Sequence, residues 1–175
     1  LPEPEWQHVD TGHGKRSALL DARTTAFADL LAAADVLVLG YRPRALERLG
    51  LDTTRLAARH PGLVVAQLSA WGESMPDRRG FDSLVQAESG IAMVEGDSGK
   101  PGALPAQALD HSAGYLLAAA VQVLLERRRA EGGTWHVSTS LRRVAAELLG
   151  MPRVDLPGTP PSSPDPADRR SFRVD

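Results

Sequence analysis

No cysteine occurs among the 175 residues, which excludes disulfides and thiolate metal sites and fits the cytoplasm. Aromatic residues make up only 5% of a chain that is 42% hydrophobic, so Leu, Val and Ala have to build the core. Charge of one sign is lacking too: 20 basic and 22 acidic side chains leave a formal net charge of −2. That balance gives no electrostatic footing for nucleic acid or an anionic membrane. No apolar run approaches the roughly 20 residues that span a bilayer, and there is no signal peptide. The chain starts at Leu1 without a methionine, so a processed chain or a fragment is expected, with a segment missing before it.

Several chemical motifs are missing as well. "GDSGKPG" lacks the spacing and the Ser or Thr of a phosphate-binding P-loop, and its proline forbids the helix that should follow. "GHGKRS" has no third glycine of a dinucleotide fingerprint. The histidines, at 8, 13, 60, 111 and 136, show no metal-ligand spacing, so no metal site is expected. No G-x-S-x-G elbow exists, which removes the commonest serine hydrolase arrangement. Arg127 to Arg129 reads as a solvated helix end.

What is present alternates between strand and helix signals. "KRSALLDAR" (15–23) reads as a short strand and a polar turn, and Thr24 or Thr25 can cap a helix carrying Phe27, Leu30, Leu31 and Ala34 on one face. "DVLVLGY" (35–41) and "GLVVAQLS" (62–69) are continuous aliphatic runs of the kind covered on both faces in parallel sheets. Between them lie an expected loop, "RPRALERLG", and a helix opened by Asp52 that stops before Pro61. "AWGESMPDRRG" (70–80) is a polar loop at the C-terminal end of a strand, where open α/β sheets place ligands. "FDSLVQAESGIAM" predicts a helix, and residues 95–106 a loop. "TWHVSTS" alternates like a strand buried on one face, and "LRRVAAELLG" is a last helix. The fold class is therefore α/β, with one domain over 1–150 and an extended proline-rich tail over 151–175.

"QALDHSAGYLLAAAVQVLLERRR" (107–129) places Asp110 just before a long apolar run, which predicts a helix buried on most sides. Asp is a preferred N-cap. It can also serve as a covalent nucleophile in acyl transfer, but the spelling alone favours the cap. The other loop candidates for chemistry are Asp82, Arg42, Arg48, Arg78 and Arg79.

In order along the chain, "GKRSALLDAR", "ADVLVLGYRPRALERLGL", "GLVVAQLSAWG", "RRGFDSLVQAESGIAMVEG", "ALDHSAGYLLAAAVQVLLERRRAEGG" and "TWHVSTSL" resemble the class III CoA-transferases, the family of formyl-CoA and carnitine CoA-transferases. The resemblance covers roughly residues 12–145. It implies an open Rossmann-like parallel sheet flanked by helices, without the family's N-terminal strand–helix unit and second domain. It also implies that Asp110 is the nucleophile, carrying CoA as an aspartyl thioester between an acyl-CoA and a small carboxylic acid. CoA contacts carried over by the resemblance are Leu20, Asp21, Ala22 and Arg23, then Gly40, Tyr41 and Arg42, then Arg48, and Arg78, Arg79, Gly80 and Phe81. No permanently bound cofactor is implied; coenzyme A and acyl-CoA are substrates, and the assembly is an intertwined homodimer. The alternatives are a non-catalytic or partial CoA-binding module and an acyl-CoA racemase. Racemases resemble "GHDINY" where this chain reads "GFDSLV", and Phe81 cannot move a proton.

Overall fold

The computed structural model describes Val9 and residues 11–153. The expected tail lies, from residue 154 on, outside the described residues. Helix α1 (Thr25–Ala32) starts where Thr24 accepts the Phe27 N–H at 3.4 Å. Strand β1 (Val36–Leu39) follows, then α2 (Pro43–Arg48) and α3 (Thr53–Arg59). Asp52 opens α3 by accepting the Arg55 N–H at 3.0 Å, a cap of the expected kind. Then come β2 (Val64–Ser69), α4 (Asp82–Ser89), α5 (Ile91–Val94), α6 (Ala108–Glu131), β3 (Trp135–Ser140) and α7 (Leu141–Gly150).

The three strands form one parallel sheet in the order β1-β2-β3, with Val36 beside Val64 and Val64 beside Trp135. Central β2 is the most deeply covered, and Val64, Val65 and Ala66 are at most 1% exposed. Successive side chains of a strand point to opposite faces. Accordingly Val65 joins the cluster of Leu31, Leu39, Leu46, Leu51, Leu56 and Leu63. Leu68 packs against the other cluster, in which Trp71, Val85, Ile91, Leu109, Ala113 and Val144 meet. The α/β reading of the sequence holds.

Four local expectations need correction. Residues 15–21 form no strand: they have no ladder partner among the described residues, and Leu19 lies fully in solvent. "RPRALERLG" is a helix rather than a loop, because Pro43 occupies the first helical turn, where its missing N–H and fixed φ are favourable. The single helix expected over 81–93 is two. Gly90 has φ 97°, a left-handed conformation open to glycine, and it ends α4 and starts α5. β1 is not covered on both faces; it is an edge of the sheet, and Val38 is exposed.

Helix α6 departs furthest from expectation. Only Leu109, Ala113 and Leu117, spaced four apart, are buried along it, while Tyr115, Leu116 and Val123 stay exposed. By length and composition alone it is apolar enough to cross a membrane, with a mean hydropathy of 1.3, so its few polar interruptions hid a run that the sequence reading passed over. The core helix of an α/β domain meets the same test, and here the buried stripe packs on β2, β3, α4 and α7. Its basic end is also more than a solvated terminus. Arg128 donates to the carbonyls of Gly62 (3.0 Å) and Asp35 (3.3 Å) and pairs with the Asp35 carboxylate at 2.8 Å.

Candidate active site

The Arg128 contacts fix which way α6 points. Asp35 directly precedes β1 and Gly62 lies two residues before β2, so the C-terminus of α6 sits at the entry end of the sheet. Twenty-four helical residues span about 36 Å. The six residues of β2 span only about 20 Å. The N-terminus of α6, with Asp110, therefore lies beyond the carboxyl ends of the strands, which is where open α/β sheets hold ligands.

Asp110 is not the cap of this helix. Gln107 holds the N-cap position with no side-chain bond, and Asp110 is the third helical residue. The capping oxygen comes from α4. Asp82, 1% exposed, uses Oδ2 to accept the N–H groups of Leu109 at 2.8 Å and Asp110 at 2.9 Å. Its Oδ1 accepts from the Gln86 amide, which also donates to the Ala106 carbonyl at 3.2 Å. The Gln86 carbonyl oxygen accepts the Leu104 N–H at 3.0 Å. The segment entering α6 is thus held by two side chains one turn apart on α4. The Asp110 carboxylate itself is half-buried and makes no hydrogen bond among the described residues. Burial raises its pKa above the ordinary value, the Asp82 charge adds to the rise, and His111 opposes it.

The loop before α4 is packed rather than free. Trp71, 5% exposed, donates from Nε1 to the Arg79 carbonyl at 2.9 Å and carries the Arg78 guanidinium 4.0 Å above its ring. Gly80 is required there: a Cβ would stand 2.5 Å from Trp71 Nε1 and 2.6 Å from Ala70 Cβ. Arg78 pairs with Glu88 on α4, and that bond holds the guanidinium pKa above its usual value and the carboxylate pKa below. Phe81 ends the loop as an exposed ring directly before Asp82. Arg42, at the start of α2, donates to the Asp77 carbonyl at 3.0 Å and so joins the end of β1 to this loop.

The structure therefore joins Arg42 to Asp77, just before the 78–81 stretch, and Phe81 leads through Asp82 to Asp110. Tyr41 is exposed, and Arg48, in the last turn of α2, is exposed with no ion pair among the described residues. Leu20, Asp21, Ala22 and Arg23 sit apart from Asp110 in the chain of contacts. Ala22 packs on the cluster that contains Leu46 of α2. Asp21 and Arg23 pair through two short bonds, which hold the exposed Asp21 carboxyl down at about 2.

The sequence reading missed Gln86, whose only signal was its place one helical turn after Asp82. It also missed an open cavity of about 500 Å³ on the face of the sheet that carries Gln67, Ser69, His136 and Ser138. Burial lowers the His136 pKa there, against the opposing charge of Glu73. That cavity does not include Asp110, Asp82 or the 78–81 stretch.

The model for CoA-transferase family III matches residues 3–171. The chain belongs to CoA-transferase family III. It is 32% identical over 175 aligned residues to a protein of Mycobacterium tuberculosis named as a probable fatty acyl-CoA transferase, covering 94% of this chain and 44% of that one. It is 34% identical over 128 residues to the cinnamoyl-CoA:phenyllactate CoA-transferase of Clostridium sporogenes, covering 70% of this chain and 31% of the relative. A crystal structure of the Mycobacterium tuberculosis protein superposes with a TM-score of 0.70 at 34% identity, over 77% of this chain and 39% of that one. A CAIB/BAIF family protein from Brucella suis gives 0.68 at 27% identity, over 78% and 38%. The chain spans less than half the length of each of these family III relatives.

Proposed function

We propose that the protein transfers CoA between an acyl-CoA and a carboxylic acid, with Asp110 as the covalent carrier. The observation that carries this reading is the Asp110 carboxylate in the first turn of α6, half-buried, with no hydrogen-bond partner among the described residues, and held by its backbone. Asp110 attacks the thioester carbonyl, giving a mixed anhydride and CoA thiolate. The thiolate attacks the aspartyl carbonyl, releasing the donor acid and leaving an aspartyl-CoA thioester. The acceptor carboxylate attacks that thioester to form a second anhydride, and the freed thiolate takes the new acyl group and regenerates Asp110. The partial positive end of α6 favours the oxyanions of these steps. The relatives' names, which include CoA-transferases for phenyllactate and for malate, support the reaction class.

Arg48 and Arg42 supply permanent charge for CoA phosphates, as forked donors suit. Tyr41 and Phe81 offer exposed rings to the nucleotide or pantetheine, and Leu20 to Arg23 complete the outer contact. The acting species is a homodimer, whose second copy covers apolar side chains such as Tyr115, Leu116 and Val123; a monomeric mass by light scattering would overturn that. Racemisation is the weaker reading, because Phe81 stands where a proton donor is needed. The deciding experiment follows transfer in parent and Asp110→Asn, with hydroxylamine capture and peptide mass analysis. Loss of transfer together with an Asp110 adduct in the parent supports the mechanism. Transfer by Asp110→Asn at the parent rate would sink it.

A further inference from the structure

We infer that Asp82 is a positioning residue for the transfer, holding the first turn of α6 by its backbone so that the Asp110 carboxylate meets the thioester carbon; this rests on Asp110 being the nucleophile. A buried carboxylate is costly unless it is well bonded. Among the described residues no cation pairs with Asp82; its partners are two backbone N–H groups and one amide. Plain helix capping would need no such arrangement, since Ser, Thr or Asp at position 107 would supply the oxygen locally. Here the oxygen comes from 28 residues away, on the helix that directly follows the Arg78–Phe81 loop. One side chain thereby ties the segment proposed to contact CoA to the residue proposed to receive it. Gln86 completes the device. It bonds Asp82 on one side and both Leu104 and Ala106 on the other, so the chain entering α6 cannot shift independently of α4.

The experiment measures formation of aspartyl-CoA in the protein, using acetyl-, succinyl- and cinnamoyl-CoA as probes and hydroxylamine to trap the adduct on the Asp110 peptide. Rates are taken per folded molecule for parent, Asp82→Asn and Asp82→Ala. Asn keeps one acceptor oxygen for the two N–H groups, and Ala keeps none. The expected order is parent, then Asn, then Ala, with Ala slowed about ten- to a hundredfold by the misplaced carboxylate. The KM for acyl-CoA stays within about twofold, because Asp82 does not touch substrate. A purely structural role predicts a lower melting temperature with an unchanged rate per folded molecule, and that result overturns the positioning role. If the Ala variant does not fold, the Asn variant decides by the same criterion. Labelling in the parent with equal labelling in the variants removes only the role of Asp82. No labelling in the parent removes the nucleophile reading and this inference together.

Discussion

Asp82 accepts the backbone N–H of Asp110 at 2.9 Å, so two acidic residues divide between them the two tasks that one could have performed at the head of α6. The buried one satisfies the orphan N–H groups of the helix, and the half-buried one keeps its oxygens for something else. Two carboxylates this close do not share charge freely, which is part of why the Asp110 pKa is raised.

That raised pKa has a stability consequence with a definite sign. The folded state holds the Asp110 proton more tightly than the unfolded chain, whose value is near 3.8. The resulting stabilisation is complete below that value and is lost as pH rises through the folded-state pKa. At neutral pH the parent therefore bears an unfavourable half-buried charge that Asp110→Asn lacks. The variant should melt at a higher temperature than the parent at pH 7, and the difference should shrink towards pH 3. Thermal unfolding by circular dichroism across that range checks it; a variant less stable at pH 7 contradicts the electrostatics.

Arg48→Ala should weaken CoA binding while leaving bound-state chemistry nearly intact. The side chain is exposed and has no ion pair among the described residues, so little folding energy is at stake. Titration calorimetry with CoA should show a loss of about 1.5–3 kcal/mol, the size of a charged hydrogen bond. Unchanged affinity would remove Arg48 from the binding surface.

Gly80→Ala should destabilise the loop that Trp71 holds. The added methyl would meet the indole nitrogen at 2.5 Å and Ala70 Cβ at 2.6 Å, so the ring has to move or the backbone has to open. Overpacking of this kind costs about 1–3 kcal/mol. Trp71 makes the change visible, since its fluorescence should shift towards that of an exposed indole before global unfolding. A variant with parental fluorescence and melting temperature would show that the loop absorbs the methyl.

Arg128→Ala should destabilise by about 1–3 kcal/mol, because the Gly62 carbonyl loses its guanidinium partner. Denaturant titration measures this, and a value near zero would mean that water replaces the guanidinium without cost.

The strands and the longer helices were legible because each carries its own pattern: continuous aliphatics in β2, alternation in β3, helical spacing in α1 and a long apolar run in α6. What the sequence could not convey was coverage. Val38 and Tyr115 have the composition of covered positions, yet burial depends on neighbours that the spelling of one segment does not contain. Asp110 drew notice by its place before an apolar run, and the inference that it caps that run failed because the cap is supplied from 28 residues away. Long-range capping leaves no local signature. Asp82 was noticed only as a loop acid and Gln86 was passed over, and only the fold joins them.

The two N–H groups that open α6 donate to a side chain, whereas those further along donate within the helix. Parting the head of the helix from α4 consequently breaks the Asp82 bonds and the Gln86 bonds to Leu104 and Ala106 together, while the remaining turns keep their own. The amide protons of Leu104, Leu109 and Asp110 then exchange with solvent on one shared clock, set by the joint release of Asp82 and Gln86 and separate from that of the turns behind them.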